Sequence, residues 1–439
     1  MRTAVDTRFL VNETLALFSR LQTVRSFSLS TPMVLAAAVS APAHAAINAH
    51  LAHVAFDLRR KLLAFVAWLR GPESRRLNAA QTQARFVLLK LRFNNLLDQV
   101  DIFADVLGQR GEHGTGTWVA GLDVLAEDAI TLAGQYYDAP PLVCFLERGH
   151  GAAIRRARTR LPGGDQNPVG VIQIPRERMI GSGIASSLIH EVGHQGSELL
   201  GLTASLKQVL EQKVAAGPKE AALPWQLLGR WLNEILSDCW SLGHLGITAT
   251  YGLLSVVSLP SYFVFRIGTD GPHPFPWIRV KISLALGEVL FPDPQWGLLR
   301  QQWEGLYPTD ELSADKRDVI QRLERVLPEF AQLVLEHRPP SLKGQRVADI
   351  FPAAQRQPRQ LRALHDAWRR QPHLREHAAP SQVFAVVGQA KADGRISTNE
   401  EVRLLSHMLT RWALNRARKY CPAPALKPAI SSSSNPQLT

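Results

Sequence analysis

The string HEVGH sets His190 and His194 four residues apart, with Glu191 directly after the first. On a helix, side chains at i and i+4 leave one face about 5–6 Å apart, close enough to share one ion. A catalytic zinc takes three protein ligands and keeps a fourth position for water. Glu191 stands where its carboxylate can reach that water and act as general base. A second string, NEILSD, supplies Glu234 and Asp238 with the same one-turn spacing. Glu234 completes a set of two histidines and one carboxylate. Asp238 can accept the other ring N–H of a ligand histidine, which fixes its tautomer and raises its basicity. Zn2+ is therefore the expected cofactor, and hydrolysis by a metal-activated water is the expected chemistry.

The pair HEVGH and NEILSD resembles the HExxH and NExxSD motifs of thermolysin-like gluzincin zinc peptidases. That resemblance implies His190, His194 and Glu234 as metal ligands, Glu191 as base and Asp238 as the partner of a ligand histidine. HPFPWIR, residues 273–279, resembles the HPxxxxR motif of the CAAX and HtpX-type membrane zinc peptidases. It implies that His273 donates a hydrogen bond to the oxyanion of a tetrahedral intermediate, with Arg279 orienting the site or supporting that oxyanion. The resemblance covers about residues 165–290. It implies a small α+β zincin-like core and a peptide or protein substrate, and the absence of a GxMEN-like string tilts the expectation to an endopeptidase. The 39 residues between His194 and Glu234 (195 through 233) exceed the short thermolysin-like connection. The metzincin pattern fails, because Ser197 and Leu200 stand where it needs glycine and histidine.

Other residues compete for these roles. Glu198, one turn beyond His194, is a rival carboxylate ligand on the same helix, and Gly196 can end that face first. Cys239 follows Asp238 and points off the acid face, which suits a small buried hydrophobe. His244 reads as a packed histidine. AKADGRISTNEE, residues 390–401, resembles the ADG-x-I-S-x-x-E element of TerB-like helical domains, in which Asp393 with Glu400 or Glu401 would hold a second divalent ion. A helix-turn-helix with a glycine turn and a serine N-cap explains the same string. A non-catalytic, zinc-stabilised binding or adaptor protein with a basic C-terminal interaction domain is the alternative function. Glu191 argues against it, since a structural metal has no use for a base beside its first ligand.

The elements that must position these residues are mostly helical. Residues 1–110 carry apolar positions at helical spacing and form the expected helical N-terminal region. A glycine-rich break over residues 108–121 (GQRGEHGTGTWVAG) opens the peptidase-like domain, 111–336. Residues 141–146 (PLVCFL) and 169–174 (VGVIQI) read as strands, the second an edge that could accept a peptide ahead of the metal helix. Helices are expected over 182–200, 203–216 and 224–242. After Arg338 the Pro-, Arg- and Gln-rich sequence reads as a linker or loosely packed helical pair, inside a basic helical C-terminal domain spanning 337–421. The tail, 422–439, with four consecutive serines, reads as disordered. The fold class is thus mostly α around a small α+β core, between helical N- and C-terminal parts.

Charge and composition narrow the setting. Residues 337–421 hold 16 Lys+Arg against 6 Asp+Glu, a net +10, whereas 1–336 hold 33 against 32, a net +1. Any polyanion contact is expected through 337–421. Cys144, Cys239 and Cys421 form no CxxC pair, which fits a reducing, cytoplasmic setting. Residues 33–46 look like a signal h-region with a small-residue site, but lie far from Met1 and read as a buried Ala-rich helix. Residues 239–265 hold no charged side chain and are long enough to cross a bilayer, yet glycines, serines and Pro260 interrupt them. They read as a core helix behind the site.

Overall fold

The computed structural model describes residues 4–420 apart from 150, 177–180, 219–220 and 269. The tail 422–439 and Cys421 lie outside the described residues. The chain is mostly helical with one small mixed sheet.

The N-terminal part is built from α1 (Ala4–Leu21), a single turn α2 (Phe27–Ser30), and two long helices, α3 (Ala41–Arg70) and α4 (Ala79–Gly108). A 3-10 turn (Pro72–Arg76) reverses the chain between α3 and α4. Asn78 starts α4 with a reciprocal cap: its side chain accepts from the Gln81 amide at 2.8 Å, and the Gln81 side chain accepts from the Asn78 amide at 3.1 Å. Leu10 and Leu17, Ile47 and Leu62, and Phe86 and Leu96 bring α1, α3 and α4 into one core. Residues 33–46 are not one helix. They form a 3-10 turn (Leu35–Ala37) and then the start of α3, whose first turn carries Pro42 after Ser40.

The glycine-rich stretch 108–121 interrupts the helices only over a 3-10 turn (Gln109–Gly111), and the rest of it is the first half of helix α5 (His113–Ile130). Its glycines serve close packing. A Cβ on Gly121 would stand 2.5 Å from the Leu409 carbonyl oxygen, and one on Gly116 2.8 Å from the Gln109 carbonyl oxygen. A three-stranded sheet follows, β1 (Leu142–Glu147), β2 (Ala153–Arg155) and β3 (Gly170–Pro175), in the order β1-β3-β2. β1 runs parallel and β2 antiparallel to β3. Val143, Val169 and Val171 face the N-terminal core, while Leu142, Cys144, Ile172 and Ile174 face the larger one. Burial on both faces explains the nearly continuous apolar runs of β1 and β3. Of the two edges, β1 is taken up by the Asp123 and Gln109 side chains, and β2 was missed by the sequence reading: three residues of alternating exposure carry too little pattern. The run at 169–174 is the centre of the sheet, paired on both sides, and cannot accept a further strand.

The larger core holds α6 (Gly183–Leu199), α7 (Leu202–Ala216), α8 (Ala222–Arg230) and α9 (Leu232–Leu245), where one helix over 224–242 was expected. Trp231 breaks it, and its buried ring packs edge-to-face on Phe275 at 6.1 Å. The uncharged run 239–265 divides at Gly246 (φ 59°) and Pro260 into the end of α9, then α10 (Ile247–Val257) and α11 (Ser261–Val264). Among the described residues no helix is long and apolar enough to cross a membrane. The chain continues through α12 (Pro276–Leu290), α13 (Gln295–Leu306) and α14 (Ala314–Glu336).

Residues beyond 336 are tightly packed, not a loose pair. Leu342, Val347 and Arg356 are buried along the turns that lead to α15 (Ala353–Arg356) and α16 (Pro358–Arg370). Then α17 (Pro380–Ala392) and α18 (Thr398–Tyr420) add Phe384, Val386, Leu405 and Trp412 to the same core as α5, α6 and α9. Asp123 of α5 ties three parts together. It pairs with buried Arg110 at 2.8 Å, accepts the Cys144 amide at 2.7 Å and pairs with Arg416 of α18 at 3.0 Å.

Candidate metal centre

The site lies where α6 crosses α9. Gly193, inside HEVGH, removes the side chain that would otherwise hold the helices apart: a Cβ there would stand 2.7 Å from the Trp240 Cβ and 2.8 Å from the Ser237 Cα. Gly196 makes room for the Trp240 ring in the same way. The close crossing brings Glu234, in the first turn of α9, to both histidines of α6. His190 Nε2 is 3.4 Å and His194 Nε2 3.5 Å from the Glu234 carboxylate. A tetrahedral ion with bonds of about 2.1 Å sets its donors about 3.4 Å apart, so these spacings fit one ion. His190, His194 and Glu234 form a group that can hold a metal, with all donor atoms within 4.8 Å of one another.

Asp238, one turn after Glu234, stands behind this set. His190 Nδ1 is 2.8 Å from the Asp238 carboxylate, a close contact whose angle falls short of a well-formed hydrogen bond. Arg279, in the first turns of α12, grips Asp238 through Nε at 2.7 Å and an NH2 group at 2.9 Å, and touches Glu234 at 3.4 Å. The guanidinium thus orients the two acids from the wall of the cleft. His273 sits in the bend before α12, 3.4 Å from the Glu234 carboxylate and 62% exposed. Phe275, packed on Trp231 at the start of α9, anchors that bend.

Charges in this small space act on one another. Burial works against a charged His190, but Asp238 and Glu234 outweigh it and raise its pKa to about 9 in the metal-free chain. Burial, with His190 beside it, drives His194 down to about 4. Burial leads the rise of Glu191 to about 7, with Glu234 adding to it. Burial also opposes ionisation of Asp238, yet Arg279 and His190 hold it well below the usual carboxylate range. A carboxyl poised near neutrality beside ionised neighbours suits a proton shuttle.

All of these groups line one cleft of about 440 Å³. Its floor carries Ser186, Ala249, Gly252, Leu253 and Val256, and its rim carries Ala152, Ala153 and Ile154 of the β2 segment. Two residues to which the sequence reading gave no role shape it. Asn233 lies against His194 and lines the cleft. Gln195, next to the second histidine, accepts the Ala157 amide at 2.7 Å and so fastens the exit of β2 to the metal helix. Neither belongs to a periodic pattern, and Gln195 finds its partner 38 residues away.

The remaining candidates fall outside the cleft. Glu198 is a surface residue paired with Arg156 at 3.1 Å. Cys239 is buried, and burial raises its thiol to about 12. His244 is buried beneath Trp240 and Phe351, with Nδ1 2.9 Å from the Trp240 carbonyl. The acids near the C-terminus part company: Asp393 pairs with Arg362 at 3.0 Å, Glu400 accepts from Ser397 at the start of its own helix, and Glu401 reaches Ser182. They form no second metal group among the described residues. No protein-family model, curated protein or solved structure matches this chain.

Proposed function

We propose that this chain is a zinc-dependent peptidase acting on internal bonds of peptides or proteins. The observation that carries the reading is the convergence of His190, His194 and Glu234 with a buried Glu191 in a cleft bordered by the free edge of β2. Two imidazoles and one carboxylate with an open side suit zinc. When bound, the ion would supply a Lewis acid that polarises the scissile carbonyl and acidifies water.

The rest is the work of the chain. The outer edge of β2 offers unpaired backbone groups to an extended peptide, which would lie across the cleft as a fourth strand. Glu191 takes the proton of the attacking water and passes it to the leaving amine. His273 donates to the developing oxyanion, and its exposed place on a bend lets it reach a substrate carbonyl. Asp238, braced by Arg279, keeps His190 in the tautomer that presents Nε2 to the ion.

The test pairs metal content with cleavage. One zinc per chain should co-purify, be lost in His190→Ala, His194→Ala and Glu234→Ala, and stay in Glu191→Gln. Cleavage of an unstructured protein should vanish in all four. Full zinc in Glu234→Ala would remove the third ligand, and undiminished cleavage by Glu191→Gln would remove the base.

A further inference from the structure

The near-neutral balance of residues 1–336 conceals a basic surface. Along the α3–α4 hairpin, residues 57–92 hold nine Lys+Arg against two acids, Asp57 and Glu73, a net +7. Arg70, Arg75, Arg76 and Lys90 are exposed and form no ion pair among the described residues. Arg60 and Lys61 share Asp57; in the C-terminal stretch of highest formal charge Arg346, Arg362, Arg395, Arg411 and Arg416 are each committed to an acid, while Arg359, Arg369 and Arg370 are exposed without an ion pair among the described residues.

Large apolar side chains are exposed on the same two helices. On α3, Phe56 is 67% and Leu63 46% exposed; on α4, Leu88 is 61% and Leu91 51% exposed. They lie opposite the buried positions of each helix. Phe56 and Leu63 share a stripe with Arg60 and Arg70, away from Leu58, Leu62 and Leu69, and Leu88 and Leu91 face away from Phe86, Leu89 and Phe93. Core packing therefore does not account for them, and exposed apolar groups at this density mark a contact surface.

We infer that the α3–α4 hairpin docks the protein on an anionic bilayer surface, with the arginines and Lys90 at the headgroups and the leucines and Phe56 dipping into the interface. A net +7 complements a surface rich in phosphate and carboxylate, and leucines beside basic residues are the composition of interfacial helices. A second copy of the chain fits worse, because a two-fold contact would press this charge against itself. Nucleic acid fits worse too, since Phe56 is the one exposed aromatic ring in the set and the aliphatic side chains offer bases nothing to stack on. Peripheral docking also agrees with the lack of any crossing helix among the described residues.

The test is co-sedimentation of the full chain with phosphatidylcholine vesicles, with and without phosphatidylserine, at low and high salt. Binding is expected only with phosphatidylserine, and it should weaken with salt. Each basic side chain at such a surface contributes about a fivefold factor, so replacing Arg70, Arg75 and Arg76 by glutamate together should cost at least about 100-fold. Replacing Leu88 and Leu91 by serine should leave low-salt binding and abolish the part that resists salt. All five positions are exposed, so melting temperature and metal content should not change in either variant. Equal binding to neutral vesicles, unchanged binding by the arginine variant, or a wild-type dimer that the serine variant dissociates would each overturn the proposal.

Discussion

Asp238 has two neighbours to satisfy, His190 on one side and the two-pronged grip of Arg279 on the other. Asp238→Asn keeps the shape but gives up the charge that holds the His190 ring, and zinc affinity measured by chelator competition should fall by about 10- to 100-fold. Arg279→Lys should behave much like it, because an ammonium cannot make two parallel bonds to one carboxylate. On the proposed reading Glu191→Gln separates binding from chemistry: zinc should stay, and kcat should fall by about 10²- to 10⁴-fold. His273→Ala should lower kcat by about 10²- to 10³-fold with metal content and melting temperature unchanged, whereas a purely structural bend would lose stability instead. His190 with His194 and Glu234 with Asp238 were legible in the sequence because each pair sits one helical turn apart, a spacing that fixes a shared face before any tertiary contact exists, whereas His273 and Arg279 were named only through the resemblance of HPFPWIR to HPxxxxR. Gln195 was not, since what it does depends on a neighbour that folding brings to it, and Asn233, though it opens NEILSD, was given no role there.

At the scale of elements, the crossing of α6 and α9 decides whether three ligands meet. Gly193→Ala forces a methyl against Trp240 and the Ser237 backbone. Thermal unfolding should show a loss of about 1–3 kcal/mol, and zinc should bind more weakly because the helices must part. Gly114→Ala in α5 is the control, with open space at the Cβ position and no loss expected. The glycines of α5 misled the sequence reading because glycine serves both turns and close contacts, and the contact partner, Leu409, is remote. The strand β2 was illegible for another reason, its brevity. On α9, burial holds His244 neutral and lowers its pKa from 6.5 to about 4. The unfolded chain takes up that proton first, so stability is complete above about pH 6.5 and is lost as pH falls from there towards about 4. His244→Phe, which keeps a ring between Trp240 and Phe351, should flatten that part of the acid-unfolding profile.

Across the whole molecule, the start of the metal helix is held by the last described helix. Glu401 of α18 accepts from the Ser182 amide at 2.9 Å and from its hydroxyl at 2.6 Å, across 219 residues. A carboxylate at a helix N-terminus also meets the positive end of the helix dipole. Glu401→Ala should cost about 1.5–3 kcal/mol by thermal melting and speed zinc release, with Glu401→Gln in between. The sequence separated this stretch as a basic domain because its charge stands out, while its burial against α5 and α6 shows only in three dimensions. Timing follows from that contact. A chain is made from its N-terminus, and the hairpin of α3 and α4 can fold on its own local contacts early in synthesis. The first turn of the HEVGH helix gains its Glu401 contact, and Asp123 of α5 its Arg416 contact, only from residues made more than two hundred positions later. On the proposed reading, a chain that has not yet added α18 lacks the carboxylate that holds the first turn of the metal helix, and its zinc should leave faster than from the whole chain.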